Sequence, residues 1–217
     1  MGSLHIIWIT LLLYAISTIY LFLYCEDEDT EIVAQKKVIG LYAGSMLLII
    51  VGMSIYLCIM YPENSLLFNM KRTGLTALLT TAAFIDYKSY KIPNKLILIG
   101  MLLRISILGM ELLTDGTEIK WTLISEIVAA VGLFSAAMLC RVCIKNSIGF
   151  GDIKLFLIMG LFLGVNSTMN AMFLTLVISF VIAVIVLICR KKGRKDMIPF
   201  APAILLGTVI SIYLTGM

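Results

Sequence analysis

Charged side chains are scarce in this chain. Only 14% of its 217 residues are Asp, Glu, Lys or Arg, whereas 61% are hydrophobic, and the mean hydropathy is +1.05. Soluble globular domains carry about 25% charged residues. The composition therefore excludes an ordinary soluble domain and predicts an integral membrane protein.

Histidine and cysteine are scarce as well. The single histidine is His5, and among the five cysteines only Cys140 and Cys143 form a Cys-x-x-Cys pair. A structural zinc site needs four ligands, which one such pair cannot supply. We therefore expect no metal and no bound cofactor. Helix packing is the favoured role of the pair, with redox or metal chemistry as the alternative.

Eight apolar runs occupy most of the chain, and most approach the roughly 20 residues that a spanning helix needs. They predict an all-α, polytopic membrane helix bundle of about eight transmembrane helices, with six to eight possible. The first run lacks a basic flank and is too long for a secretory signal, so we expect a retained helix. The runs cover residues 4–24, 38–61, 73–85, 92–113, 121–143, 153–165, 168–189 and 198–214.

The distribution of Lys and Arg predicts the orientation. Most of them, including the run at 190–195, fall in loops on one side, which the positive-inside rule makes cytoplasmic, with both termini on the far side. Lys71 and Arg72 fit this poorly. Either the third helix starts near Leu66 and both side chains snorkel outward, or the first two helices are arranged differently.

The charged loops predict a membrane surface rather than a nucleic acid as partner. The net charge of +4 comes mostly from the cytoplasmic basic residues. The loop at 25–37 is acidic, and we interpret it as a solvated connector, with a docking surface for a basic substrate segment as the alternative.

Two aspartates lie at the ends of apolar runs, at the boundary of the membrane. Ionisable groups in such places are usually functional. Two apolar runs separate Asp86 from Asp152, so the chain crosses the membrane twice and returns both to one face. We expect Asp86 to end its helix ahead of Pro93. Asp152 alone could be a helix N-cap. The glycine pair at 160 and 164 has a spacing that is common in membrane helices, and ordinary helix packing is its favoured role, with drawing Asp152 toward Asp86 as the alternative.

Three short motifs surround these aspartates. An Ile-Pro-Asn follows Asp86 after five residues, Asp152 closes a Gly-x-Gly-Asp-x-Lys motif, and a Pro-Phe-x-Pro comes late in the chain. Together they resemble the type IV prepilin peptidase (leader peptidase) family of GxGD intramembrane aspartyl proteases, over roughly residues 73–214. The matching positions are Asp86, Ile92, Pro93, Asn94, Gly149, Gly151, Asp152, Lys154, Pro199, Phe200 and Pro202.

The resemblance implies an aspartic endopeptidase with Asp86 and Asp152 as catalytic residues and the other matching positions shaping the site. Its substrates would be prepilin, pseudopilin or competence-pilin precursors, cut at the cytoplasmic face of the plasma membrane for type IV pilus assembly or protein secretion. No cofactor, metal or nucleic acid is implied. The chain would form one membrane domain, 1–217, with N-terminal helices and a truncated loop in 1–72 and the peptidase core in 73–217.

Larger members of this family also N-methylate the new terminus, through a domain after the first helix marked by two Cys-x-x-Cys pairs. The loop at 25–37 here holds one cysteine, Cys25. We therefore expect cleavage without methylation.

Two neighbouring carboxylates cannot both ionise easily, so we expect the pair to share a proton. The ionised member can take a proton from water while the protonated one polarises the scissile carbonyl.

Three alternative functions are a presenilin-like protease, a transporter and a non-catalytic assembly protein. The first is less favoured because Ile85 precedes Asp86 where presenilin-like proteases carry Tyr. Within the fourth and fifth helices, Arg104 and Glu126 are predicted to form a structural salt bridge, with a substrate contact as the alternative.

Overall fold

The computed structural model describes residues 10–21, 32–114, 119–144, 148–188 and 199–216, without the side chains of 32–39 and 41. Its regular structure in this part of the chain is entirely helical, which confirms the all-α prediction. His5, Cys25, the acidic residues before 32 and the basic run at 190–195, on which several predictions depend, lie outside the described residues. The helices are α1 (Thr10–Leu21), α2 (Ile32–Met60), α3 (Leu66–Ser89), α4 (Asn94–Thr114), α5 (Ile119–Cys143), α6 (Phe150–Ile188) and α7 (Ala201–Thr215).

Several of these helices have the length and composition of membrane spans. Four are long and apolar enough by themselves: the 42–60 part of α2, and α4, α5 and α6. Large apolar side chains point away from the bundle, with Leu113 89% exposed and Ile188 74% exposed. Because such surfaces match lipid rather than water, the chain is a multi-pass membrane protein.

Helix α6 turns back on itself at Gly164. The backbone there leaves helical geometry, with φ 70° and ψ 178°, a conformation that favours glycine. In a straight helix Leu176 would lie about 36 Å from Asp152, at 1.5 Å per residue. Both residues instead line one cavity. The two arms of α6 and the other helices give eight helical segments in the described residues, as the hydropathy predicted.

Helix α3 occupies the centre of the bundle, in contact with α2, α4, α6 and α7. It starts at Leu66, as one of the two alternatives predicted, and Ser65 caps it by accepting a hydrogen bond from the Phe68 N–H at 3.2 Å. The predicted outward snorkelling is wrong, because Lys71 and Arg72 are only 5% and 3% exposed. Both point into the protein, where carboxylates and other polar groups surround them.

Lys71 belongs to a buried ion cluster of four residues. The cluster consists of Lys71, Arg104, Glu111 and Glu126. Lys71 Nζ lies 2.8 Å from Glu111 and 3.0 Å from Glu126. Arg104 lies 3.0 Å from Glu111 and also pairs with Glu126, and its Nε donates to the Leu161 carbonyl at 2.9 Å. The predicted pairing of Arg104 with Glu126 is thus confirmed, within a larger cluster than the sequence indicated.

Small residues allow α6 to pack closely on α5. A Cβ on Gly160 would lie 2.5 Å from the backbone of Ala130. The suggestion that Gly160 and Gly164 draw Asp152 toward Asp86 is wrong, because Gly160 contacts α5, which does not carry Asp86, and Gly164 forms the turn.

Candidate active site

Asp86 lies in the last turn of α3. The helix continues to Ser89 and is closed by Tyr90, whose φ is 53° and whose N–H donates to the Asp86 carbonyl at 2.9 Å. The prediction that Asp86 itself ends the helix is therefore wrong by one turn, because the left-handed Tyr90, rather than Pro93, terminates it. This extra turn keeps Asp86 inside the bundle, where it is 6% exposed.

The start of α7 holds the Asp86 carboxylate. Oδ2 accepts a hydrogen bond from the Ala201 N–H at 3.0 Å, and the Phe200 N–H is a second backbone donor. Pro202 occupies the first turn of α7, a position that proline tolerates because the N–H it lacks has no helical partner. The Pro-Phe-x-Pro segment, which includes Pro199, thus presents backbone donors and the positive end of a helix to Asp86.

Asp152 is the third residue of α6. The helix begins at Phe150, and the Asp152 carboxylate reaches back to accept the Gly149 N–H, in the manner of a capping box. The N-cap alternative is therefore wrong by three positions. The second oxygen, Oδ1, is buried and has no hydrogen-bond partner among the described residues. A buried, unpartnered carboxylate oxygen is costly unless a proton, water or substrate meets it.

Both carboxylates line one cavity of about 550 Å³. Because the two carboxylates face the same cavity, they would repel each other if both were ionised. The remaining wall is largely apolar and includes Leu133, Phe156 and Leu176. The structure thus brings the two predicted aspartates to one cavity, as expected from the two apolar runs that separate them.

The Ile-Pro-Asn connection packs against the start of α6. A Cβ on Gly151 would lie 2.9 Å from Ile92 Cβ, so only glycine allows this approach. Lys154 Nζ donates to Asn94 Oδ1 at 2.5 Å. Pro93 lies between Ile92 and Asn94 in the sequence, and so between the two residues that make these contacts. The motif residues therefore join the connection after Asp86 to the helix that carries Asp152.

Sequence reasoning missed Arg141, which it counted only as a cytoplasmic anchor. Its guanidinium lies 3.8 Å from the centre of the Phe150 ring, donates to the Ile148 carbonyl and lines the cavity. No motif marks it; the one available signal is its position at the end of α5, facing the loop that leads to Gly149. Arg141 thus holds Ile148 and Phe150, on either side of Gly149, and brings a positive charge to the site.

The cysteine pair lies beside this site. Cys140 borders the cavity, and both Cys140 and Cys143 are exposed rather than packed in the core. Within the described residues, no three side chains of the metal-ligating types come together.

Comparison with known proteins identifies relatives of this chain. Residues 73–188, more than half of the chain, match the sequence profile of the type IV leader peptidase family. A prepilin leader peptidase/N-methyltransferase of Bacillus subtilis (strain 168) is 32% identical over 88 residues, which is 41% of this chain and 35% of that protein. The similarity thus spans about a third of that relative's length. No solved structure matches.

Proposed function

The chain belongs to the type IV leader peptidase family, and we propose from this premise that it is an intramembrane aspartic endopeptidase that removes the leader from prepilin-like proteins. The observation that carries the proposal is the single cavity bordered by Asp86 and Asp152, with one Asp152 oxygen buried and unpartnered. Two carboxylates in such a place can hold one proton between them.

The hydrogen bonds favour different roles for the two carboxylates. Backbone donors from Phe200 and Ala201 favour the negative charge on Asp86, whereas Asp152 has one backbone donor and one open oxygen. We therefore assign the ionised role to Asp86 and the protonated role to Asp152, within a pair that titrates as a unit.

In this mechanism a water molecule adds to the scissile carbonyl carbon. Asp86 takes the proton of that water, while Asp152 gives its proton to the carbonyl oxygen. When this gem-diol intermediate collapses, the C–N bond breaks, the proton held by Asp86 passes to the leaving amine, and one hydroxyl of the gem-diol returns its proton to Asp152. The product carboxylic acid and amine leave, and the shared proton is restored.

The cavity suits an extended peptide segment that leads into an apolar helix. Its walls are mainly apolar, with Phe156, Met172 and Leu176 on the α6 side. Lys88, in the last turn of α3, and Lys154, near the start of α6, place basic residues at this end of the bundle. By the positive-inside rule we place the site at the cytoplasmic face of the plasma membrane.

The direct test mixes the purified full chain, in detergent, with a synthetic prepilin-like substrate that carries a leader and an apolar segment. Asp86→Asn and Asp152→Asn remove each charge while keeping side-chain shape. The exposed Glu63→Gln is the matched control. We expect cleavage by wild type and Glu63→Gln, none by either Asn variant, and no effect of a chelator. Full cleavage by either Asn variant would overturn the mechanism.

We also propose cleavage without methylation, because the segment at 25–37, whose last six residues belong to α2, holds a single cysteine. Mass spectrometry of the new N-terminus, after reaction with a methyl donor present, should find an unmodified amine. A methylated product would contradict this part of the proposal and leave the peptidase mechanism intact.

A further inference from the structure

A second cavity lies at the opposite end of α3 from the aspartates. Arg72 and Asp86 are 14 positions apart in one helix, which places them about 21 Å apart along its axis. This cavity has a volume of about 360 Å³ and lies between α3, α5 and the turn of α6 at Gly164. It therefore cannot belong to the candidate active site.

Arg72 lines this cavity, and two of its three guanidinium nitrogens have no acceptor among the described residues. Its side chain is 3% exposed, and Nη2 donates to Ser167 Oγ at 3.3 Å, but Nε and Nη1 have no partner in the described part of the chain. The guanidinium lies 4.5 Å from the Phe68 ring centre. A buried cation with open donors is unfavourable unless an anion meets it.

The neighbouring carboxylates are already engaged. Glu126 borders the cavity and attracts Arg72, but its two oxygens pair with Lys71 and Arg104, as those of Glu111 also do. Among these buried described groups, three cations face two carboxylates. One positive charge is left over, and it belongs to Arg72.

The backbone adds positive potential at the same place. The second arm of α6 starts just after Gly164, on the cavity wall, and the Val165 N–H donates to Ser125 Oγ at 3.0 Å. The N-terminus of a helix carries a positive partial charge and favours anions. The helix start and the unpaired Arg72 are independent features, and both favour an anion in the cavity.

We propose that this cavity binds the phosphate group of an anionic lipid at the membrane face opposite the active site. Trp121, also on the cavity wall, is 77% exposed, and exposed tryptophans of membrane proteins lie at the level of the lipid headgroups. Within the described residues Arg72 Nε and Nη1 have no acceptor, and hydrogen bonds from a guanidinium to phosphate oxygens are charge-assisted and strong. Free phosphate has the same chemistry, so the test separates the two sources.

The test measures the thermal unfolding midpoint of the purified full chain with added phosphatidylglycerol, phosphatidylcholine or inorganic phosphate. Phosphatidylglycerol should raise the midpoint by a few degrees in wild type and in the control Lys120→Gln, an exposed cation at the same end. Arg72→Gln should lose most of this rise. An equal rise in wild type and Arg72→Gln, or none in wild type, would overturn the proposal, and an equal rise with inorganic phosphate would overturn its lipid source.

A second measurement needs no Arg72 variant. In a Trp8→Phe background, Trp121 is the only remaining tryptophan. Brominated phosphatidylglycerol should quench its fluorescence more strongly than brominated phosphatidylcholine at the same molar ratio. Equal quenching by the two lipids would contradict a site selective for anionic headgroups.

Discussion

Asp86 accepts a hydrogen bond from the backbone N–H of Ala201 at 3.0 Å, although the two residues are 115 positions apart in the sequence. This bond joins the end of α3 to the start of α7. The carboxylate proposed to act in catalysis therefore also holds two helices together. Substitutions at this position affect stability and activity separately, according to what replaces the acceptor.

Asp86→Asn and Asp86→Ala should differ in stability but not in activity. The Asn side chain still offers an oxygen to the Ala201 N–H, whereas Ala leaves that buried donor unsatisfied, which costs about 1–3 kcal/mol. We expect both variants to be inactive and only Asp86→Ala to unfold at clearly lower temperature. Equal stability of the two variants would show that the hydrogen bond contributes nothing.

Gly151→Ala should slow cleavage by displacing the Ile-Pro-Asn connection. The added Cβ would lie 2.9 Å from Ile92 Cβ, so one of the two segments must shift. A shift of about 1 Å at a catalytic site can reduce the rate by up to roughly a hundredfold. The measurement is kcat/KM on the synthetic substrate, with the unfolding midpoint recorded in parallel.

The double variant Gly151→Ala, Ile92→Ala provides the control for this prediction. Removing the Ile92 side chain beyond Cβ relieves part of the crowding, so activity should recover relative to Gly151→Ala alone. If the double variant is less active than both single variants, with effects that simply add, the close contact is not the cause of the loss.

Gly160→Ala should destabilise the bundle, in contrast to Gly132→Ala. A Cβ at 160 meets the Ala130 backbone at 2.5 Å, which no side-chain movement relieves, and such overpacking costs about 1–3 kcal/mol. Gly132 has nothing within 4 Å of its added Cβ, so alanine there should gain up to about 1 kcal/mol of helix propensity. Thermal unfolding of both variants in one detergent checks the opposite signs.

Hydropathy and motif spacing predict the helices and the paired aspartates, because both depend on local sequence. The hydropathy pattern also predicts the turn of α6 near Gly164, because residues 166 and 167 separate two apolar runs there. The exact depth of Asp86 and Asp152 in their helices was not predictable, because it depends on the left-handed Tyr90 and on a helix start at Phe150.

Contacts between distant segments could not be predicted from the sequence. Hydropathy treats Lys71 and Arg72 as interfacial charges, and only the packing of α3, α4 and α5 shows that Glu111 and Glu126 surround Lys71. The same holds for Ala201 and Arg141, whose roles come from tertiary contacts rather than from a motif. A charge near a membrane boundary is thus ambiguous until its partners are known.

The ion cluster provides the last prediction, since it decides between a structural and a substrate-binding role for Arg104 and Glu126. Glu126→Gln leaves Lys71 and Arg104 with only Glu111, and Arg104→Gln leaves both carboxylates with Lys71 as their one ion-pair partner within the cluster. Removing one partner of a buried ion pair costs about 3–5 kcal/mol. Each single variant should therefore unfold at much lower temperature.

The double variant Arg104→Gln, Glu126→Gln keeps the charges balanced, with Lys71 facing Glu111 at 2.8 Å. Its loss of stability should be smaller than the sum of the two single losses, because each remaining charge of the cluster keeps a partner. Activity measured at low temperature on the folded fraction should persist in all three variants, since the cluster lies near Arg72, at the end of α3 remote from Asp86. If the single variants instead fold as stably as Glu63→Gln but cleave nothing, the structural role is wrong and the cluster contacts the substrate.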